Sequence, residues 1–180
     1  SWTASHGTEY ATMLGITRSN ITFFGKGKDT TTILGGFGIA NVENITFKQM
    51  TVTNTSHFGN CIRMTNAKVE LFDVAVKGCR GNALLIPYSS SETTVVATRC
   101  EFANSRWGAA VEGSLTSATF NNCVFHDNDV NGVYGSENAT IHLHGEATAI
   151  HSNGDDGIYE SRSGKVIIHL PSHHNTSYNT

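Results

Sequence analysis

The chain is 180 residues long, 38% apolar and 15% charged, with a formal charge of −3. That is apolar material for one ordinary domain and too little charge for a disordered segment, and no run of like charges marks a nucleic-acid footprint or an anionic membrane as partner. Thr, Ser, Asn and Gly number 22, 16, 16 and 18 while Pro appears twice, a composition that favours strands and turns over helices.

In chain order, GTEYATMLGITRSNITF (7–23) reads as the middle of a first coil. From Ile45 one pattern recurs: apolar side chains fall at a starting position and then two, five and seven residues later. The copies are Ile45, Phe47, Met50, Val52; Val69, Leu71, Val74, Val76; Val95, Ala97, Cys100, Phe102; and Ala118, Phe120, Cys123, Phe125, with starting residues 24, 26 and 23 apart. A period of two puts each pair on one face of a strand, and the slip of three predicts a bend into a second strand facing the same core. Each copy is followed by a polar turn that leads to Gly or Ala and a small apolar run. These segments are TNTSHFGNCIRM (53–64), KGCRGNALLI (77–86), ANSRWGAAVEG (103–113), HDNDVNGVYGS (126–136) and HSNGDDGIYES (151–161). The last two align at a shift of 25, with His126 on His151, Asn128 on Asn153, Gly132 on Gly157 and Tyr134 on Tyr159. KVIIHLPSHHNTSYNT (165–180) then reads as a seventh coil that stops after one strand and its turn.

The period predicts an all-β solenoid of about seven coils of 23–26 residues, each with three short strands paired in parallel with those one coil on. The expected organisation is one domain over residues 1–180. Neither end shows a capping helix, and exposed strand edges invite pairing. The reading is therefore a segment of a longer solenoid, or copies stacked end to end. No apolar stretch reaches the roughly 18–20 residues of a membrane span, and SWTASHGTEY (1–10) lacks the pattern of a signal peptide, so the chain reads as soluble and as a processed or excised piece.

NITFFGKGKDTTTILGGFGIANVENITFKQMTVTNT (20–55) resembles the opening coils of right-handed parallel β-helix proteins of the pectin-lyase-like superfamily. NGVYGS and DGIYES resemble its generic repeat. The resemblance covers nearly the whole chain and implies the fold. It implies little about activity, since the superfamily holds lyases, hydrolases, esterases, epimerases, viral fibres and adhesins.

Inward positions of such a coil stack as ladders, and Phe47, Leu71, Ala97 and Phe120 should form one. Asn54, Asn104, Asn128 and Asn153 fall just after the last inward apolar residue of their coils and read as a turn ladder. Cys100 and Cys123 occupy equivalent inward positions in adjacent coils, near the ~4.8 Å strand spacing. Either a disulfide or a stack of buried free thiols fits them. Cys61 and Cys79 sit at different phases of successive coils, and no pair has the CxxC spacing of a zinc or redox site.

Five Asn-x-Ser/Thr sequons, at Asn20, Asn44, Asn54, Asn138 and Asn175, are glycan acceptors if the chain is secreted. Asp155 and Asp156 form the one adjacent acidic pair and are the first catalytic candidates for a polysaccharide-cleaving enzyme. Asp156 also aligns with Asn131, as a turn residue would, and the Gly-His-Gly and Arg-Ile-Lys elements of polygalacturonases are missing. The catalytic set of pectin methylesterases is not identifiable, and the Asp-Pro-His-Glu element of mannuronan epimerases is absent. Of nine histidines, His142, His144, His151, His169, His173 and His174 lie in the last third. Strand alternation puts His142 and His144 on one outward face with His169 above His142, an arrangement that would hold zinc or copper if the rings converge and is otherwise a solvated polar face. Thr22, Thr46, Thr119 and Thr140 suggest an ice-binding rank that Glu70 and Val96 interrupt.

The expected function is a non-catalytic extracellular or surface module, structural, filament-forming or adhesive, with copies of itself, flanking coils or glycans as partners and no cofactor. Two alternatives are kept. One is a carbohydrate-active enzyme; the other is a polysaccharide-binding module that uses outward Trp107, Tyr134 and Tyr159.

Overall fold

The computed structural model describes residues 13–169, which form sixteen strands and no helix. The first coils hold β1 (Met13–Ile16), β2 (Ile21–Phe24), β3 (Thr32–Leu34), β4 (Gly36–Thr53) and β5 (Ile62–Lys77). Then come β6 (Leu84–Ile86), β7 (Thr93–Thr98), β8 (Glu101–Ala103), β9 (Ala109–Glu112), β10 (Thr116–Asn121) and β11 (Val124–His126). The last are β12 (Val133–Ser136), β13 (Thr140–His144), β14 (Ala149–His151), β15 (Ile158–Ser161) and β16 (Lys165–His169). Every pairing is parallel, and three ladders wind around one core. The first runs β1–β4–β5–β6–β9–β12–β15. The second runs β2–β4–β5–β7–β10–β13–β16, and the third β3–β4–β5–β8–β11–β14. The solenoid is therefore a right-handed parallel β-helix of about seven turns. In β4 and β5 all three faces run on as one long strand, where the sequence predicts three short ones.

The slip of three in the apolar pattern has a backbone cause. Gln49, Asp73, Arg99 and Asn122 each adopt φ of 53–54° immediately before the third inward residue of their coils. One left-handed residue turns the chain, so the next side chain faces inward again. Phe47, Leu71, Ala97 and Phe120 stack in register as expected. Phe23 joins them, its ring parallel to that of Phe47 at 4.9 Å.

The polar ladder differs from expectation by one residue in one coil. Gly78, Asn104, Asp127 and Ser152 are the left-handed corner residues, and the residue after each points inward. Ser105 therefore takes the place assigned to Asn104. Ser105 Oγ accepts from Cys79 N–H (3.1 Å), and Asn128 Oδ1 accepts from Ser105 N–H (3.3 Å). Asn153 Oδ1 accepts from the Asn128 side-chain amide (2.9 Å). Asparagine suits both ranks, because its short amide tolerates left-handed geometry and also bonds neighbouring backbone.

Glycine is required where coils touch most closely. A Cβ on Gly108 would collide with the Gly132 carbonyl oxygen and lie 3.0 Å from Asn128 Nδ2, and one on Gly132 would lie 2.8 Å from the Gly157 carbonyl oxygen.

The disulfide links Cys61 to Cys79, with Cα atoms 5.7 Å apart, and not Cys100 to Cys123. Cys100 and Cys123 are free and buried. They sit at equivalent corner positions of adjacent coils, Cys100 between β7 and β8 and Cys123 between β10 and β11. Each sulfhydryl donates to the carbonyl two residues before it, Thr98 at 3.4 Å and Asn121 at 3.5 Å, and burial pushes the Cys123 thiol up. Bridging residues 18 apart contributes about 3 kcal/mol by shortening the loop open to the unfolded chain.

Candidate functional site

The outward face of the first ladder carries the aromatic residues singled out in the sequence. Trp107 precedes β9, while Tyr134 in β12 and Tyr159 in β15 are register partners. Trp107 and Tyr134 have ring centroids 4.9 Å apart, and Tyr134 and Tyr159 lie 5.7 Å apart and nearly parallel at 11°. Tyr134 Oη is 3.1 Å from Ser161 Oγ, which fixes the ring across the coil above. These rings wall a groove of about 690 Å³ whose remaining lining is Val130, Asn131, Gly154, Asp155 and Asp156. The turns stack to build its floor: Asp155 N–H donates to Val130 O (2.8 Å) and Gly132 N–H to Asp156 O (3.1 Å). The alignment of Asp156 with Asn131 is thus real, and Asn131 Nδ2 also reaches the Asp156 carbonyl at 3.5 Å.

Asp155 and Asp156 are both exposed and, among the described residues, are the only charged ones lining the groove. A general acid needs burial or a like charge to hold its proton near neutral pH. On the same outward face, one alternation further along the strands, such a pair exists that sequence reasoning missed. Glu112 pairs in register with Ser136, next to Glu137. Burial and then the charge of Glu137 push the Glu112 carboxyl up, while Arg162 and Tyr88 hold Glu137 low.

A second missed cluster lies on the third ladder. Lys77 Nζ donates to both Glu101 oxygens at 3.2 Å. His126 Nε2 lies 3.2 Å from Glu101 Oε1 and its Nδ1 2.7 Å from Asp127 Oδ2. With a carboxylate at each nitrogen, the imidazolium is the form that satisfies both. His126 and then Lys77 pull the Glu101 carboxyl down to about 2, and Glu101 then Asp127 raise His126. The raised His126 stabilises the fold fully below its unfolded pKa of about 6.5, and this is lost as pH rises through its higher folded value. The lowered Glu101 contributes above its unfolded pKa of about 4.5, and this is lost as pH falls toward 2. Both contributions are present between pH of about 4.5 and 6.5. Side-chain exposures of 20% and 25% screen the pair to about 1 kcal/mol. The expected result is that His126→Gln lowers the melting temperature most near pH ~5.5 and least above pH ~8. A difference that does not change with pH would mean that His126 acts by packing alone.

His142 and His144 share the outward face of β13, as alternation requires, but His169 pairs in register with His144, not His142. The three rings converge, with His144 and His169 parallel at 4.2 Å and His142 Nδ1 3.1 Å from His169 Nε2. Desolvation, then the charges of His169 and His142, lower the His144 pKa. The threonine rank fails in register: Thr22, Thr46, Glu70, Val96, Thr119 and His142 are successive partners, and Thr140 pairs with Ser117 and Lys165.

Among the sequons, Asn20, Asn44 and Asn138 are exposed. Asn54 is 1% exposed and its side-chain amide donates to the Asn60 carbonyl (2.9 Å), which leaves a glycan no room. Asn175, His173 and His174 lie outside the described residues.

A right-handed coil of parallel strands winding about one core defines a parallel β-helix. The chain matches the family described as "Right handed beta helix region" over residues 12–148 and 60–180, and it belongs to that family. Comparison with curated proteins and with solved structures gives no match.

Proposed function

We propose that the chain is a non-catalytic, extracellular adhesive module that binds a polysaccharide along the Trp107–Tyr134–Tyr159 groove. The observation that carries this reading is the row of three aromatic rings on consecutive coils, 4.9 and 5.7 Å apart, walling one groove whose charged lining is Asp155 and Asp156. Aromatic rings supply apolar area to the C–H faces of a sugar, and the carboxylates accept hydrogen bonds from its hydroxyls. A disulfide and exposed sequons at Asn20, Asn44 and Asn138 support an oxidising, extracellular compartment.

The test is native gel electrophoresis through matrices containing neutral and acidic polysaccharides. Wild-type protein should be retarded by at least one of them. Tyr159→Ala, at a ring that is 45% exposed, should weaken that retardation tenfold or more with little change in stability. Retardation by none, or retardation unchanged by both Tyr159→Ala and Trp107→Ala, would overturn the reading.

The placement of two carboxylates on the first ladder, Glu112 in register with Ser136 and Glu137 next to it, favours a second reading, a polysaccharide-cleaving enzyme. Burial that pushes Glu112 up while Arg162 holds Glu137 low is consistent with an acid and its partner. Release of reducing ends that is lost in Glu112→Gln would select it.

A further inference from the structure

Across β13 and β16 the sheet brings together three side chains with one coordinating chemistry. His142 and His144 are two residues apart on one strand and therefore on one face. His169 stands beside His144 on the adjacent strand, at the inter-strand spacing. One ring nitrogen from each lies within 4.8 Å of the other two, and the closest pair, His142 Nδ1 and His169 Nε2, is at 3.1 Å. A tetrahedral ion with bonds of 2.0–2.1 Å to imidazole needs ligand nitrogens about 3.4 Å apart. Small rotations about the His side-chain torsions close the remaining gap, and the backbone, fixed by the parallel ladder, does not have to move.

The surroundings fit the same chemistry. In β10 the residues paired with His142 and His144 are Thr119 and Asn121, and the β16 residue paired with His142 is Ile167. None of the three is charged. The ligand set is thus three imidazoles with no carboxylate or thiolate, which selects borderline transition ions over the oxygen-seeking calcium and magnesium.

We propose that His142, His144 and His169 form a binding site for a divalent transition-metal ion of the zinc–copper class, joining two successive coils. Three protein ligands leave a fourth position open to water or to an outside donor. The site is independent of the aromatic groove: it lies on the second ladder, and the groove on the first.

The test is titration of the tag-free, chelator-treated full chain with Zn²⁺ by calorimetry, repeated with Cu²⁺ under electron paramagnetic resonance. The expected result is one Zn²⁺ per chain with micromolar or tighter affinity, nitrogen hyperfine structure from Cu²⁺, and a melting temperature that rises with Zn²⁺. His144→Gln and His169→Gln should each weaken binding at least tenfold and abolish the Zn²⁺-dependent rise, while His151→Gln, on the third ladder, should change neither. Both strands are held by backbone pairing, so each variant is first confirmed folded by its far-ultraviolet spectrum. Should either fail that check, the conservative His142→Asn variant carries the same expectation. Binding that persists in all three variants, or no saturable binding by wild-type protein, would overturn the assignment.

Discussion

Phe120→Ala is expected to lower the unfolding free energy by about 4 kcal/mol, read from the denaturant midpoint. Phe120 is fully buried. It meets Phe102 edge-on at 5.4 Å and 81°, and Phe125 at 5.0 Å and 89°, while those two rings stack on each other at 5.0 Å. Its register partner in the coil below is Ala97, too small to refill the space, so the cavity term adds to the lost transfer energy. A domain of ordinary stability has 5–15 kcal/mol in all, so the loss takes a large share. Phe24→Ala, at a ring that is 70% exposed, is the control and should cost under about 0.5 kcal/mol. A loss below about 2 kcal/mol for Phe120→Ala would mean that neighbouring coils close over the void, as a less rigid solenoid would.

Asn128→Ala is expected to cost about as much through a different force. Its side chain is 2% exposed, yet it is saturated: Oδ1 accepts from Ser105 N–H, and Nδ2 donates to the Phe102 carbonyl (3.2 Å) and to Asn153 Oδ1. Truncation strands the buried Ser105 N–H of the coil below, at about 1–3 kcal/mol, removes the side-chain bonds to the Phe102 carbonyl and Asn153, and opens a small cavity besides. Asn128→Asp keeps the acceptor, removes the donor and buries a carboxylate, so its loss should grow as pH rises above the aspartate range. Urea unfolding at two pH values checks both. A cost of under about 1 kcal/mol would show that water substitutes for the amide.

The fold was legible because its cause is local. An inward–outward alternation interrupted by one left-handed residue prints the two-five-seven spacing at Ile45, Val69, Val95 and Ala118, whatever the outward residues are. The surface sites were not, because they depend on exact register between coils of unequal length. A shift of two residues sets His169 over His144 where the sequence suggested His142. Lys77, Glu101 and His126 come from three coils, and only after their lengths are known do they fall on one face. The corner at Asn104 shows the limit at single-residue scale: asparagine suits both the left-handed corner and the inward rank, so composition cannot choose between them, and Ser105 takes the buried place. The cysteines add a further case: the bridge joins Cys61 and Cys79, which sit at different phases of successive coils, and leaves the equivalent positions Cys100 and Cys123 free.

The parallel ladders also set how the molecule bears load. Their hydrogen bonds point along the solenoid axis, so a pull along that axis strains one coil boundary at a time and the weakest boundary gives first. Each released coil of about 24 residues turns a ~4.8 Å rise into roughly 80 Å of extended chain. The Cys61–Cys79 bridge withholds the segment between the two cysteines from that extension until it is reduced. Under tension the protein therefore lengthens in discrete steps and absorbs work at each, as a shock absorber does, while the coils not yet reached keep their surfaces intact.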